Sequence, residues 1–295
     1  MKTGVFGSSY QSDKLEIIRD FFDLLSRFSQ EIYIENGFYT YLVEQFGYKP
    51  DHKGLLNETD DFYLDLALSL GGDGTFLRTA AAIGRKNIPI LGINTGRLGF
   101  LADTNKDEIG VTLYEVFSGQ YCVENRTLLQ LNIDSSVLGT ENFALNEIAI
   151  LKRDTSSMIT IHTFIDGDFL NTYMADGLLI ATPTGSTAYS MSVDGPIIVP
   201  QARNLVISPV APHSLNVRPL VIPEDSNISL KVETRSNNFL VALDGRSVVM
   251  PSVSELPELT ISKADFTIGV IKRLDHTFYQ TLRQKLLWGN DYRAR

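Results

Sequence analysis

Cysteine is nearly absent. Cys122 is the one thiol in 295 residues, which excludes an internal disulfide and suits a reducing cytosol, so a cytoplasmic location is expected. No apolar run approaches the length of a membrane-spanning helix, and no membrane partner is expected. The N-terminal Met1-Lys2-Thr3-Gly4-Val5-Phe6-Gly7 reads as a first strand rather than a signal peptide. Positive charge is also in deficit. The net charge of −9 argues against a protein that grips nucleic acid by bulk electrostatics. An anionic ligand must then be held by local amides, a few placed cations or a metal. His162, His213 and His276 are scattered without metal-ligand spacing and read as structural, so no zinc site is expected. Internal repeats and low-complexity segments are missing too.

What is present is ordinary globular composition, 43% hydrophobic and 21% charged, in a chain long enough for two domains. Up to about residue 120, strand-like and helix-like segments alternate. Ser12 to Ser29 has helical apolar spacing, Glu31 to Ile34 and Ile88 to Ile93 read as strands, and Lys106 to Phe117 reads as a helix closed by Gly119. From Tyr121 to about Ile271, short alternating runs dominate: Leu128 to Ile133, Phe143 to Leu151, Met158 to Ile165, Ile228 to Val232 and Phe239 to Leu243. Asp166-Gly167 and Asp244-Gly245 mark turns between them. The tail, Asp275 to Trp288, is an amphipathic helix. The expected fold is an α/β N-terminal domain with a Rossmann-like parallel sheet over 1–120, joined by the C-terminal segment 272–295. An all-β, sandwich-like C-terminal domain covers 121–271, and the final helix packs back on the first domain.

The most informative run is Ser69-Leu70-Gly71-Gly72-Asp73-Gly74-Thr75. An apolar strand-like segment, Phe62 to Leu70, empties into three glycines around one carboxylate, and a helix-forming stretch from Phe76 follows. Glycine lets the backbone approach a ligand, and free amides at a helix start suit phosphate. The plain alternative is an ordinary turn, since Asp-Gly is a common turn pair. No Gly-Lys-Ser/Thr follows, which excludes a Walker loop, and the glycine spacing excludes the dinucleotide fingerprint. A carboxylate at the centre of a phosphate loop makes sense when it meets a metal ion or a proton.

Other clusters point the same way. Asn94-Thr95-Gly96-Arg97-Leu98-Gly99-Phe100 is a second Gly-rich strand exit. Leu145-Asn146-Glu147 interrupts an apolar strand, and a buried Asn-Glu pair is costly unless satisfied. Asp176-Gly177-Leu178 leads to Thr182-Pro183-Thr184-Gly185-Ser186-Thr187-Ala188-Tyr189-Ser190-Met191-Ser192, a stretch expected to form a donor-rich, low-bulk surface for a nucleotide. The alternative there is a Ser/Thr turn opening a helix. Ser208 to Pro219 is Pro-rich and reads as a shaped loop rather than a regular element.

These motifs, in this order, closely resemble the NAD kinase family, over roughly residues 65 to 250 and again in the terminal helix. The resemblance implies transfer of the γ-phosphoryl of ATP to the 2′-hydroxyl of the adenosine ribose of NAD, giving NADP. It implies Asp73 as the base, also helping to hold Mg²⁺, with the divalent ion bound alongside ATP rather than in a dedicated protein site. Gly71, Gly72 and Gly74 would admit the phosphates, and Arg78 would meet them. By the same resemblance Asn146 and Glu147 bind ribose hydroxyls, the carboxylate accepting and the amide donating. Thr187, Ala188, Tyr189, Ser190, Met191 and Ser192 line the dinucleotide. Asp176 and Ala211 contact its other end, and Phe100 and Leu101 border the adenosine. The family also implies a homo-oligomer, a tetramer, formed through the β domain, whose exposed edges need covering.

Two positions depart from the family pattern. Met174 stands where relatives carry Arg or Lys, and Asp194 stands where they carry glycine. Other readings are a lipid kinase, a phosphofructokinase-like enzyme, or a non-catalytic NAD(P)-binding sensor. Lipid kinases continue Gly-Gly-Asp-Gly-Thr with Asn-Glu, whereas Phe76-Leu77 follows here. A sugar phosphate needs clustered basic residues, which this acidic chain does not show. A sensor has no need of the Asp73 carboxylate.

Overall fold

The computed structural model describes residues 1–9, 13–57, 61–133, 142–153, 157–235, 238–251 and 258–289. Ser12, expected to open the first helix, and residues 290–295 of the terminal segment lie outside them. The chain divides into two compact units, residues 1–125 with 268–295, and residues 126–267.

In the first unit, strands β1 (Lys2–Gly7), β2 (Glu31–Glu35), β3 (Gly54–Leu56), β4 (Leu66–Leu70) and β5 (Ile90–Ile93) alternate with helices α1 (Leu15–Phe28), α2 (Asn36–Phe46), α3 (Asp73–Ile83) and α4 (Ile109–Phe117). The strands pair in the order β5-β4-β1-β2-β3, all parallel. Every residue of β4 and β5 is buried, as a parallel sheet covered on both faces requires. Helix α1 buries Ile18, Phe21, Phe22 and Leu25, one stripe at helical spacing. Helix α2 starts where the Glu35 carboxylate accepts hydrogen bonds from the Gly37 and Phe38 amides, and stops at Gly47 with φ +61°. The helix expected over 106–117 opens instead as a tight turn, Lys106–Glu108, in which Asn105 and Glu108 cap one another.

This strand order has one consequence for function. The chain begins in the middle of the sheet, runs outward to β3, then returns to the opposite side of β1. The winding direction reverses between β1 and β4, and α/β sheets bind ligands outside the carboxyl ends of their strands at such a point. Those ends are Gly7 and the Gly71-Gly72-Asp73 loop.

Among its described residues the second unit is mainly β, with a tight helical turn at Thr184–Thr187 and the short helix α5 (Tyr189–Ser192). Its strands are β6 (Tyr121–Asn132), which begins in the first unit, β7 (Phe143–Ala144), β8 (Glu147–Lys152), β9 (Ile159–Ile165), β10 (Asp168–Ala175), β11 (Gly177–Ala181), β12 (Asn204–Val210), β13 (Leu220–Pro223), β14 (Ile228–Glu233), β15 (Asn238–Leu243), β16 (Arg246–Pro251) and β17 (Leu259–Arg273), which ends in the first unit. One antiparallel sheet runs β13-β12-β11-β8-β15-β16. A second places β10, β9, β14 and β17 side by side. Ile148, Ile150, Leu178, Ile180 and Val241 from one sheet share a core with Ile159, Ile161, Ile228, Leu230 and Ile261 from the other, so the unit is a β-sandwich.

In this unit two expected elements differ. The run Phe143 to Leu151 is two strands, β7 and β8, interrupted at Leu145-Asn146. The run from Ser208 is not wholly a loop, because β12 continues through Pro209 to Val210. Strand β13 pairs with β12 only from Asn204 to Ile207, so one flank is open where proline lacks its N–H. The last element among the described residues is α6 (Phe278–Leu286), which packs within the first unit through Phe278 against Phe100, ring centroids 6.2 Å apart.

Candidate active site

Strand β4 delivers the Gly-Gly-Asp-Gly loop to the switch point. The Gly71 amide donates to the Ile93 carbonyl at 2.9 Å, which ties the loop to β5. A Cβ at Gly71 would overlap the Thr75 side chain. Gly72 caps α3 and Asp73 is its first residue. The Asp73 carboxylate accepts three backbone hydrogen bonds: Oδ2 from the Phe100 amide at 2.9 Å, and Oδ1 from the Leu101 and Ala102 amides, each at 3.0 Å. A Cβ at Gly99 would collide with that carboxylate, so the second Gly-rich exit can reach it only because residue 99 is glycine. Positions 72 and 74 face open space, leaving the start of α3 accessible. Arg78 is exposed, and its Nη2 lies 3.5 Å from Thr75 Oγ1. With Gly7, Glu35, Thr75 and Thr79 it lines a cavity of about 60 Å³. Of the two residues expected to border the adenosine, Leu101 has a buried side chain and Phe100 is half-buried.

The second unit holds the other predicted residues. Asn146 and Glu147 sit at the break between β7 and β8, and Asp244 causes that break. Its carboxylate accepts from the amides of Leu145 at 2.6 Å, Asn146 at 2.8 Å and Glu147 at 3.1 Å. Two buried oxygens there, Asn146 Oδ1 and Glu147 Oε2, have no hydrogen-bond partner. Leaving one buried acceptor unmade costs about 1–3 kcal/mol, which favours a ligand as their complement. Burial pushes the Glu147 carboxyl up to about 8, the Asp244 charge adds to the rise, and a backbone hydrogen bond from Tyr189 opposes it. At pH 7 Glu147 is therefore predominantly a neutral acid. Burial also raises Asp244, against its amide partners and Arg246.

The loop after β11 folds onto this corner. A Cβ at Gly185 would overlap the Asn146 carbonyl, so backbone meets backbone there. The expected donor-rich surface is corrected, because most of its hydroxyls point inward. Thr182 Oγ1 donates to the Leu145 carbonyl at 2.6 Å, and Ser186 Oγ to the Pro183 carbonyl at 2.7 Å. Ser190, fully buried, pairs with Ser208 at 3.3 Å. Thr187 bonds the Thr184 carbonyl at 3.2 Å. Short polar side chains close a tight turn by satisfying its own backbone. Tyr189, 38% exposed, and Ser192 face outward, while Ala188 and Met191 are half-buried.

Asp176 and Ala211 come together at the ends of β11 and β12, where the Asp176 amide donates to the Val210 carbonyl at 2.9 Å. Met174 leaves no cation on its own strand, but Lys152 of β8 supplies one, its Nζ 2.7 Å from Asp176 Oδ1. Asp194 takes φ +63°, the left-handed region that aspartate tolerates better than most residues and that glycine fills freely. Asp244 escaped the sequence reading because Asp-Gly signals a turn, and nothing local points to amides almost a hundred residues away.

Comparison with known proteins agrees over both units. Residues 8–121 match the family model of the ATP-NAD kinase N-terminal domain, and residues 145–272 that of the C-terminal domain. The NAD kinase of Bacteroides fragilis (strain ATCC 25285) is 52% identical over 294 residues, covering 100% of both chains. That of Cytophaga hutchinsonii is 45% identical over 97% of this chain and 98% of its own. The crystal structure of an NAD kinase from Archaeoglobus fulgidus in complex with ATP matches with a TM-score of 0.75 and 26% identity, over 97% of this chain and 99% of that one. Yeast NADH kinase complexed with NADH shares the fold, with a TM-score of 0.85 over 99% of this chain and 89% of its own at 24% identity. The chain belongs to the NAD kinase family and is a phosphotransferase.

Proposed function

We infer that this enzyme transfers the γ-phosphoryl of ATP to the 2′-hydroxyl of the adenosine ribose of NAD, giving NADP and ADP, with Asp73 as proton acceptor. The observation that carries the reading is the hold on Asp73. A carboxylate has roughly four acceptor positions, and backbone amides occupy three of them. One position on Oδ2 remains, on a side chain that cannot turn away. A ribose hydroxyl is a poor nucleophile at pH 7, and a placed base that takes its proton typically contributes 10²–10⁴-fold. The open start of α3 and Arg78 receive phosphate charge, while the bare backbone at Gly72 and Gly74 lets it come close.

A divalent ion such as Mg²⁺, when bound with ATP, neutralises charge on the β- and γ-phosphate oxygens. Asp73 is the residue that fits it, with one free carboxylate position beside substrate phosphates, a donor set Mg²⁺ accepts. That one position serves either proton or metal at a time. We assign it to the proton and leave the metal to phosphate and water.

Asn146 and Glu147 bind ribose hydroxyls, with a different polarity from the expected one. The orphaned atom of Asn146 is an acceptor, and the neutral Glu147 acid donates as well as accepts. Ala188, Tyr189, Met191 and Ser192, with the backbone of Thr187 and Ser190, line the dinucleotide; Asp176 and Ala211 meet its other end. In this reading residues 1–120 with 272–295 bind nucleotide, and 121–271 bind NAD and form a homo-oligomer, a tetramer, in the cytoplasm. Exposed Phe169, Met174 and Leu215 supply apolar surface for that assembly. Incubating the purified protein with NAD and MgATP tests the activity, with NADP as the expected product. Parallel reactions with polyphosphate and with diacylglycerol test the donor and the lipid-kinase alternative. Light scattering tests the oligomer, which a fully active monomer overturns.

A further inference from the structure

The amides that hold Asp73 belong to a turn, Leu98 to Ala102, that forms no regular element. Internal bonds shape it: the Gly99 amide donates to the Ala102 carbonyl at 3.1 Å, and Asn94 Nδ2 to the Arg97 carbonyl at 2.6 Å. Both ends of the turn are gripped by residues from the far end of the chain. Asp103, which follows Ala102, is buried and receives Lys272 Nζ of β17 at 2.5 Å, both side chains being only 9% exposed. His276 Nε2 lies 3.7 Å from the same oxygen and 2.9 Å from Thr281 Oγ1 of α6. At the other end, Lys285 Nζ of α6 donates to the Leu98 carbonyl. Between the two grips the Phe100 ring packs against Phe278 of α6. A buried ion pair is weak evidence for stability, because desolvation offsets most of the attraction; what it fixes is position.

We propose that Lys272 and Lys285 are positioning residues for Asp73, acting as a two-ended clamp on the turn whose amides orient its carboxylate. The proposal rests on the reading of Asp73 as proton acceptor. Neither lysine touches Asp73, so the clamp acts by holding its carboxylate in place, and the effect is read in kcat. Displacing a reacting group by about 1 Å can cost on the order of 10²-fold in rate.

Lys285→Ala is the primary test, since Lys285 is exposed and its loss leaves no buried charge. Lys272→Met probes the buried grip. The expected result for Lys285→Ala is a kcat lowered by at least about 5-fold, unchanged KM for NAD and ATP, and faster hydrogen exchange at the Phe100 to Ala102 amides. Lys285→Arg should restore both kcat and exchange protection. Faster exchange with wild-type kcat, or a loss confined to KM, overturns the clamp. Asp73→Asn run in parallel separates the two ideas: if it is inactive while Lys285→Ala and Lys272→Met keep wild-type kcat, the clamp fails alone. If Asp73→Asn keeps the wild-type rate, the reading of Asp73 fails first and the clamp falls with it.

Discussion

Asp73 and Asp244, each in its own unit, are held in the same way. Each carboxylate accepts hydrogen bonds from three consecutive backbone amides, 100–102 for Asp73 and 145–147 for Asp244. The consequences differ with what lies around each. Asp73 stands at the open start of α3 and keeps an acceptor position free, whereas Asp244 sits in the turn between β15 and β16 and shapes the backbone that presents Asn146 and Glu147.

Replacing Asp244 with alanine strands those three amides. We expect a loss of at least about 1–3 kcal/mol in chemical denaturation, the cost of a single unmade buried donor. NAD binding should weaken along with stability, because the Asn146 and Glu147 backbone loses its anchor. Calorimetric titration with NAD checks the second part.

Glu147 makes stability depend on pH. Its folded pKa, about 8, lies above its unfolded value near 4.5. The folded state therefore holds a proton that the unfolded chain releases, and stability falls as pH rises between these values. The slope from this group is on the order of 1 kcal/mol per pH unit. Glu147→Gln keeps the neutral shape and removes the titration. The variant should gain on the wild type as pH rises from 5 to 8 in melting experiments, and equal slopes would contradict the assignment.

Two glycine substitutions separate ligand approach from folding. At Gly74 an added methyl meets no protein atom and sits in a helix, where alanine is favoured by roughly 0.5–1 kcal/mol. Gly74→Ala should leave stability equal or raised, while ATP binding weakens. Gly185→Ala should destabilise outright, because its methyl overlaps the Asn146 carbonyl. Melting curves beside ATP titrations distinguish the two.

The parallel half of the fold was legible because it is written locally. Apolar strands such as 66–70 and 90–93 empty into Gly-rich loops, and the stripe of α1 repeats at helical spacing. Asp73, Asn146 and Glu147 stood out as charge or amide set in apolar or Gly-rich runs. What stayed hidden depends on distant partners. The split at Leu145-Asn146 needs Asp244, the inward turn of Ser190 needs Ser208, and the support of Asp73 needs Gly99 and the amides beyond it. Helix α2 was missed because Asn36, Gly37 and several aromatics form it poorly alone; its cap from Glu35 and the burial of Phe38 and Leu42 hold it.

The proposed role of Asp73 as acceptor of the ribose hydroxyl proton is measured by single-turnover formation of NADP in Asp73→Asn. The amide group keeps the side chain's shape but lacks basicity, and its NH₂ cannot accept the backbone N–H that one carboxylate oxygen now receives. We expect a folded variant, less stable by about 1–3 kcal/mol, that binds NAD yet makes NADP at least roughly 10²-fold more slowly. A folded Asp73→Asn enzyme that turns over near the wild-type rate would contradict it.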